Sequence, residues 1–544
     1  MTYFFKSEKF INYFYILVTF IVAFCSIVYE LLFAQVLTTV FGATVLQYSL
    51  TIGVFMFFLG VGAFVVEYFF INKVKEYSQK SFVVVEAFIT IFAILGLLFI
   101  FELSTLIGRY SQVVDLLLQI FAYFPVAIIG FLSGAELPLL VKLYSNRHFA
   151  QVLGIDYFGS LFGTIIYALL LYPKLGLIMT MVVIALVNAF VAVLFAFVHF
   201  TKRKVVITVI FLMLVFLTSF YFTTANKINN YFESIYYGVI IKNVYAEYGV
   251  NDTAIRVTDV VNTPYQTALE YDIVFNVSRG GNIDHCLNLD RHIQACGNWV
   301  KSYHNGLVNV PMSFFKKGGL DVLILGGGDF IPANFLRKFD DKLESIDIVD
   351  IDKKFQNYAK RSKFLLTLNE KSFLYKKVNV IVSDALFYLR HNKKQYDLIL
   401  IDLPGIKHDK LLPLYSKEFF SFIKSSLKNY GFAVSWFYPE KMYPVHASVL
   451  NETLRSAGFT KRLNYVAYNP IGKNVQETEW FFVLPKMSDS LPLINTVPNS
   501  YTKRFALMYK KAKWQDIKKT NVRPNSILKP NYDIIIKKPV THKL

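Results

Sequence analysis

The stretch LDVLILGGGDF, Leu320 to Phe330, sets an unbroken apolar run directly against three glycines and an acid. A short apolar run without alternation is the pattern of a strand buried on both faces of a sheet. Gly326, Gly327 and Gly328 have no Cβ, so main chain there can approach a ligand closely, and the helix start that follows offers unpaired N–H groups. FIPANFLRKF reads as that helix, with Pro332 in its first turn. SIDIVDID, NVIVSD, YDLILIDL and GFAVSWF follow as further strands between helical patterns. Such alternation predicts a parallel sheet covered on both faces.

Ligands of such sheets bind beyond the carboxyl ends of the strands. The first strand ends in Gly326, Gly328 and Asp329. The second ends in Asp350, about twenty residues on, where an acid can accept both hydroxyls of a ribose. The third ends in Asp384, placed to accept from an exocyclic amine, and the fourth in Asp402. A glycine loop with three further strand-end acids, and no lysine to hold phosphates, describes a nucleoside site.

The residues ahead of this domain are of another kind. The chain has 544 residues, 54% of them hydrophobic, and its apolar residues crowd the first 225. About seven stretches approach the roughly 20 apolar residues that a membrane-spanning helix needs: 11–34, 43–70, 82–103, 113–141, 151–173, 176–199 and 205–224. Lys6 and Lys9 precede the first, and basic residues recur after the second, fourth and sixth, so the N-terminus is expected in the cytoplasm. Seven crossings then leave the C-terminal half outside the membrane. Glu30, Glu136 and Asp156 lie in or at the ends of these stretches, either facing a polar path or hydrogen-bonding neighbouring helices near the interface. Small residues in GVGAF and GSLFG predict close helix packing.

A linker at 226–252 leads to a small β-domain at 253–312, the α/β domain at 313–487 and a basic extension at 488–544. HCLNLDRHIQACG reads as a hairpin whose three-residue loop would set Cys286 opposite Cys296, either as two thiols or, in an oxidising compartment, as a disulfide. The net charge of +19 fits solvated and headgroup-facing surfaces, and no nucleic-acid module accompanies it. No zinc-type ligand spacing is present, so no metal is expected.

Several motifs together carry a family resemblance. In the first half these are CSIVYELLFAQVLTTVFGATVLQYSLTIGVF, GFLSGAELPLL and GIDYFGSLFGT. In the second they are TPYQ, LNLDRHIQ, YHNGLVNVPM, LILGGGD, IVDID, VSDALFYL, YDLILIDLP, LYSKEFF and TEWFFVLP. In order and spacing the chain resembles the membrane-bound spermidine synthases, or polyamine aminopropyltransferases. The resemblance implies a multi-pass helical membrane bundle, a small β-domain and a Rossmann-like, methyltransferase-type domain. It also implies decarboxylated S-adenosylmethionine as a co-substrate rather than a resident cofactor, and a small amine as acceptor. Gln266 would position that donor, Asp329 would grip its aminopropyl ammonium, Asp350 its ribose and Asp384 its adenine amine. Tyr265 and Tyr303 would border the substrate, with Asp402 aligning the attacking amine.

The pattern is broken at three places. Gly405 stands where the family has an acid three residues after Asp402, Trp299 and Val300 replace an acid pair ahead of Tyr303, and Phe330 replaces a glycine and would narrow the donor site. Asp409 or His408 is the candidate substitute base. Three readings follow: an aminopropyltransferase acting on an unusual amine, a synthase-like domain that binds or scaffolds without turnover outside the membrane, and another transferase using the same cleft. The lipid bilayer, an amine and a membrane-protein partner or second copy are the expected partners.

Overall fold

The computed structural model describes residues 8–224 and 253–536, with 238 and 241 between them, apart from 42–43, 71–74, 105, 107–111, 145–148, 201–202, 217, 220–222, 276–280, 290–291, 298–299, 407–408, 438–439, 441–442, 472–474 and 488–512. The chain divides into two compact units, Met1–Ile240 and Ile241–Leu544.

The first unit is helical: α1 (Glu8–Phe41), α2 (Thr44–Phe70), α3 (Lys75–Ser104), α4 (Gln112–Phe121), α5 (Phe124–Leu143), α6 (Phe149–Ile166) and α7 (Tyr172–His199). Glycines set its closest contacts. A Cβ on Gly62 of α2 would lie 2.0 Å from the Phe131 carbonyl of α5, and one on Gly134 of α5 would lie 2.0 Å from that of Leu59. A Cβ on Gly159 of α6 would lie 2.4 Å from the Phe20 carbonyl of α1, and one on Gly163 would lie 2.8 Å from that of Phe24. Small residues thus seat the backbones against one another, as GVGAF and GSLFG led one to expect.

The count of seven spans is not confirmed. Among the described residues five helical runs are long and apolar enough to cross a membrane: Ile11–Phe41, Val45–Phe69, Tyr77–Ser104, Val113–Leu143 and Ala150–His199. The stretches read as fifth and sixth are one run of 50 residues, broken at Gly176 by a φ of 74°. Of the seventh, Lys204–Phe216 is described as a continuous apolar helix, and residue 217 and residues 220–222 lie outside the described residues.

The second unit opens with an antiparallel four-stranded sheet, β1 (Thr253–Asn262), β2 (Thr267–Phe275), β3 (Asn282–Leu289) and β4 (His292–Cys296), paired in chain order. The β3–β4 turn is shorter than expected. Leu289 pairs with His292, and a bulge that leaves Gln294 unpaired restores Cys286 opposite Cys296. The two cysteines are joined as a disulfide.

An eight-stranded sheet follows: β5 (Leu320–Gly326), β6 (Leu343–Asp350), β7 (Val378–Val382), β8 (Tyr396–Asp402), β9 (Leu427–Phe437), β10 (Lys461–Ile471), β11 (Val475–Pro485) and β12 (Lys513–Asp516). Its order is β12-β10-β11-β9-β8-β5-β6-β7. The five strands read from the sequence are parallel, and β10 to β12 add an antiparallel edge that apolar runs alone did not disclose. Alternate residues feed two cores: Val322, Ile324, Ile346, Ile348, Leu398 and Leu400 on one face, Leu323, Leu325, Val349, Ile399 and Ile401 on the other. Each is almost wholly buried, worth about 1.5–3 kcal/mol per side chain, which explains why these strands read as unbroken apolar runs. β6 and β7 extend the sheet to one side of β5, while β8 and β9 extend it to the other. The chain therefore reverses direction between β5 and β8, opening a crevice at their carboxyl ends.

Cross-linking Cys286 to Cys296, ten residues apart, stabilises the small sheet by about 2–3 kcal/mol through the unfolded chain. Cys296→Ser should lower the thermal midpoint of the second unit and abolish its sensitivity to dithiothreitol, as read by melting with and without reductant.

Candidate active site

The crevice begins with the glycine loop. Gly326 has φ +87°, and a Cβ there would lie 2.1 Å from the Asp402 carbonyl at the end of β8, so only glycine fits. A Cβ on Gly328 would meet the Asp350 carboxylate at 2.8 Å. The Gly328 N–H instead donates to Asp350 at 3.2 Å, and Asp352 N–H donates to its other oxygen at 2.7 Å. These contacts draw the ends of β5, β6 and β8 together.

Asp329 turns back to accept from Ile331 N–H at 2.9 Å, and Phe330 N–H bonds to the Gly327 carbonyl. The first N–H of the following helix, Ile331–Arg337, is therefore taken by the protein, and Pro332 has none to give. This corrects the expectation that the helix start serves a ligand. Phe330 corrects another. It keeps the left-handed backbone of the glycine it replaces, at φ 66°, but its ring is 0% exposed and packs on Phe373 at 5.3 Å. A side chain with no accessible surface does not line the crevice, so it does not narrow it.

Tyr303, on the short helix Val300–His304, donates to Asp402 at 2.9 Å. Beside it His304 is buried, stacked on Phe335 at 5.2 Å, with Nδ1 2.8 Å from the Val300 carbonyl. Burial pushes its pKa down to about 4, so it stays neutral and packs the helix that carries Tyr303. Val300 is buried, and Trp299 lies outside the described residues.

Gln266 reaches the site through a residue that the sequence reading passed over. Asp352, 1% exposed, accepts from Thr263 Oγ1 at 2.6 Å, Gln266 Nε2 at 3.2 Å and Phe355 N–H at 3.0 Å. It ties the TPYQ turn of the small sheet to the end of β6. The only signal for it was its position two residues beyond Asp350. Tyr265, on the same turn, is 49% exposed. Asp384 follows β7, exposed, and caps the helix Ala385–His391 by accepting from Phe387 N–H at 2.8 Å. Asp409 opens a turn of its own, accepting from Lys410 N–H, and no described contact joins it to Asp402. His408 lies outside the described residues.

The two ends of the parallel strands differ in charge. Toward their amino ends acids are matched by lysines: Lys428 lies 2.8 Å from Asp321 and 2.7 Å from Asp397, and Lys394 lies 2.8 Å from Asp347. At the carboxyl ends Asp329, Asp350 and Asp402 make no ion pair among the described residues. Burial, and then the Asp402 charge, push Asp329 up to about 8. Burial pushes Asp402 up to about 6, against the pull of the Tyr303 hydroxyl, and raises Asp350 as well.

The glycine loop and strand-end acids lie at the switch point of the sheet, where α/β domains of this class bind their ligands. Residues 300–478 match the spermine/spermidine synthase domain, and over most of its length the chain is similar to polyamine aminopropyltransferases. It is 29% identical over 449 residues to polyamine aminopropyltransferase 2 of Aquifex aeolicus, covering 81% of this chain and 82% of that one. It is 29% identical to the polyamine aminopropyltransferase of Oceanobacillus iheyensis, covering 76% and 75%. With polyamine aminopropyltransferase 1 of Streptomyces coelicolor it shares 26% identity over 95% of this chain and 92% of that one. The spermidine synthase of Thermotoga maritima aligns at TM-score 0.36 and 18% identity, over 47% of this chain and 84% of that chain.

Acids whose pKa rises on folding bind extra protons in the native state, so their contribution to stability falls as pH rises from about 4 toward 8. Asp329→Asn should therefore raise the melting temperature of the second unit at pH 8, and the gain should shrink toward pH 4. Thermal melts across that range, variant against wild type, measure it.

Proposed function

We propose that the protein is a membrane-anchored aminopropyltransferase, moving an aminopropyl group from decarboxylated S-adenosylmethionine to an amine that carries fewer charges than a typical diamine acceptor. The observation that carries this reading is the set of Asp329, Asp350 and Asp402 gathered without a counter-cation around a glycine loop, which fits an adenosyl donor bearing a sulfonium and an ammonium. Asp350 holds the ribose, Asp384 the adenine amine through the carboxylate oxygen not needed for its cap, and Asp329 the ammonium. Gln266, held by Asp352, positions the donor, and Tyr265 and Tyr303 border the acceptor path.

The reaction is a displacement. The acceptor nitrogen attacks the carbon beside the sulfonium, the C–S bond breaks, and its electron pair returns to sulfur to leave neutral methylthioadenosine. Asp402, aligned by Tyr303, takes the proton that the nitrogen sheds, and a carboxyl raised toward 6 is matched to that task near neutral pH. Gly405 offers no second carboxylate and Val300 none ahead of Tyr303, so the far end of the acceptor meets less negative charge. Asp409, four residues after Gly405, can supply some of it.

A domain that binds the donor or product without turnover, serving a membrane complex, is the second reading. Gly405 and the disulfide favour it, because a disulfide belongs to an oxidising compartment and the donor to the cytoplasm. The side of the membrane separates the two. If Ala150–His199 crosses twice, about its break at Gly176, there are six crossings. A cytoplasmic N-terminus then places the second unit in the cytoplasm; seven crossings place it outside.

Incubating the purified protein with decarboxylated S-adenosylmethionine and a panel of amines should release methylthioadenosine, and a C-terminal reporter active only in the cytoplasm should work. Asp402→Asn should cut turnover by about 10²-fold or more while leaving donor KM nearly unchanged. No release with any amine, together with a reporter active only outside, would establish the second reading.

A further inference from the structure

The first unit holds a cavity of about 1260 Å³ between α1, α2, α5 and α6. Four carboxylates line it, Glu30, Glu67, Glu136 and Asp156, against one lysine, Lys142. Glu30 is 6% exposed and has no hydrogen-bond or ion-pair partner among the described residues, so what it presents, it presents to the cavity. Ser133 Oγ, on a residue 7% exposed that also lines the cavity, is buried without a partner. Glu136 is 3% exposed, shares a side-chain hydrogen bond with Glu86 and lies within electrostatic reach of Asp156. Glu86 is itself 0% exposed and accepts from Asn188 Nδ2 at 2.5 Å.

Unpartnered buried carboxylates are costly and are retained where a ligand completes them. A proton or a small metal ion would need one or two of these acids and little space. This site spreads its acids over four helices around a large cavity, with apolar walls such as Val22 and Leu59 between them. Separated anionic anchors joined by apolar wall match a flexible chain of methylenes with an ammonium at each end.

We infer that the helical unit contains its own binding site for an aliphatic di- or polyamine, anchored by Glu30 and Glu136. This site is separate from the strand-end crevice and does not rest on the transfer reaction.

The test is equilibrium binding of radiolabelled 1,4-diaminobutane and 1,8-diaminooctane to the full-length protein in lipid nanodiscs, without donor, against 1-butanol as competitor. The measurement is made in an Asp402→Asn background, which removes the crevice carboxylate that faces the acceptor amine. Saturable binding should persist there, resist butanol, weaken at least tenfold in Glu30→Gln or Glu136→Gln, and disappear when Ala63→Phe fills the cavity without touching an acid. Methylthioadenosine release by Glu30→Gln in an otherwise wild-type chain, under saturating amine, should be unchanged. If Asp402→Asn alone abolishes diamine binding, or if none of the three cavity substitutions alters it, the proposal is wrong. Failure of the transferase assay with diamine binding intact would overturn the proposed reaction and leave this site standing.

Discussion

Three carboxylates without a cation, converging on one glycine loop, are the constraint around which the second unit is arranged. Asp329, Asp350 and Asp402 come from the ends of three different strands, and each is pushed toward its protonated form by burial and by its neighbours. Holding them together needs backbone approach that a Cβ would forbid at Gly326 and crowd at Gly328. The parallel sheet, buried on both faces, supplies the rigidity. A fold that matches its acids with lysines at one end of the strands and leaves them unmatched at the other is built to receive positive charge at that end.

The chemistry follows from what lies next to those acids. Tyr303 engages Asp402, Asp352 pins the turn bearing Gln266, and both hold groups of the crevice in fixed geometry rather than leaving them to loop motion. Gly405 and Val300 remove charge from the side where an acceptor would lie. This changes what the crevice can bind more than whether a proton can be taken. On the proposed reading, donor recognition and proton transfer rest on the residues present, and the departures fall on acceptor selection.

Much of this was legible in the sequence, for physical reasons. Strands buried on both faces have no polar positions to break their runs, so β5 to β9 could be read directly, and with them Asp329, Asp350, Asp384 and Asp402. The edge strands β10 to β12 were not read, because they mix polar with apolar residues, as in KRLNYVAYNPI. Phe330 misled because a side chain's direction depends on the local φ, here left-handed, which sends the ring into the core. Asp352 was missed since its role comes from a tertiary contact with Thr263. In the helical unit the division between 151–173 and 176–199 falls at the backbone break at Gly176, where Lys174 interrupts the apolar run.

The most direct test of the central claim compares the affinity of the full-length protein for decarboxylated S-adenosylmethionine and for methylthioadenosine, by calorimetric titration between pH 5 and pH 8. The two share the nucleoside and differ in the sulfonium and the aminopropyl ammonium. If the unmatched acids define the site, the cationic donor binds at least tenfold more tightly at neutral pH, and the advantage shrinks as the acids are protonated below pH 6. Equal affinities across the range would contradict the account.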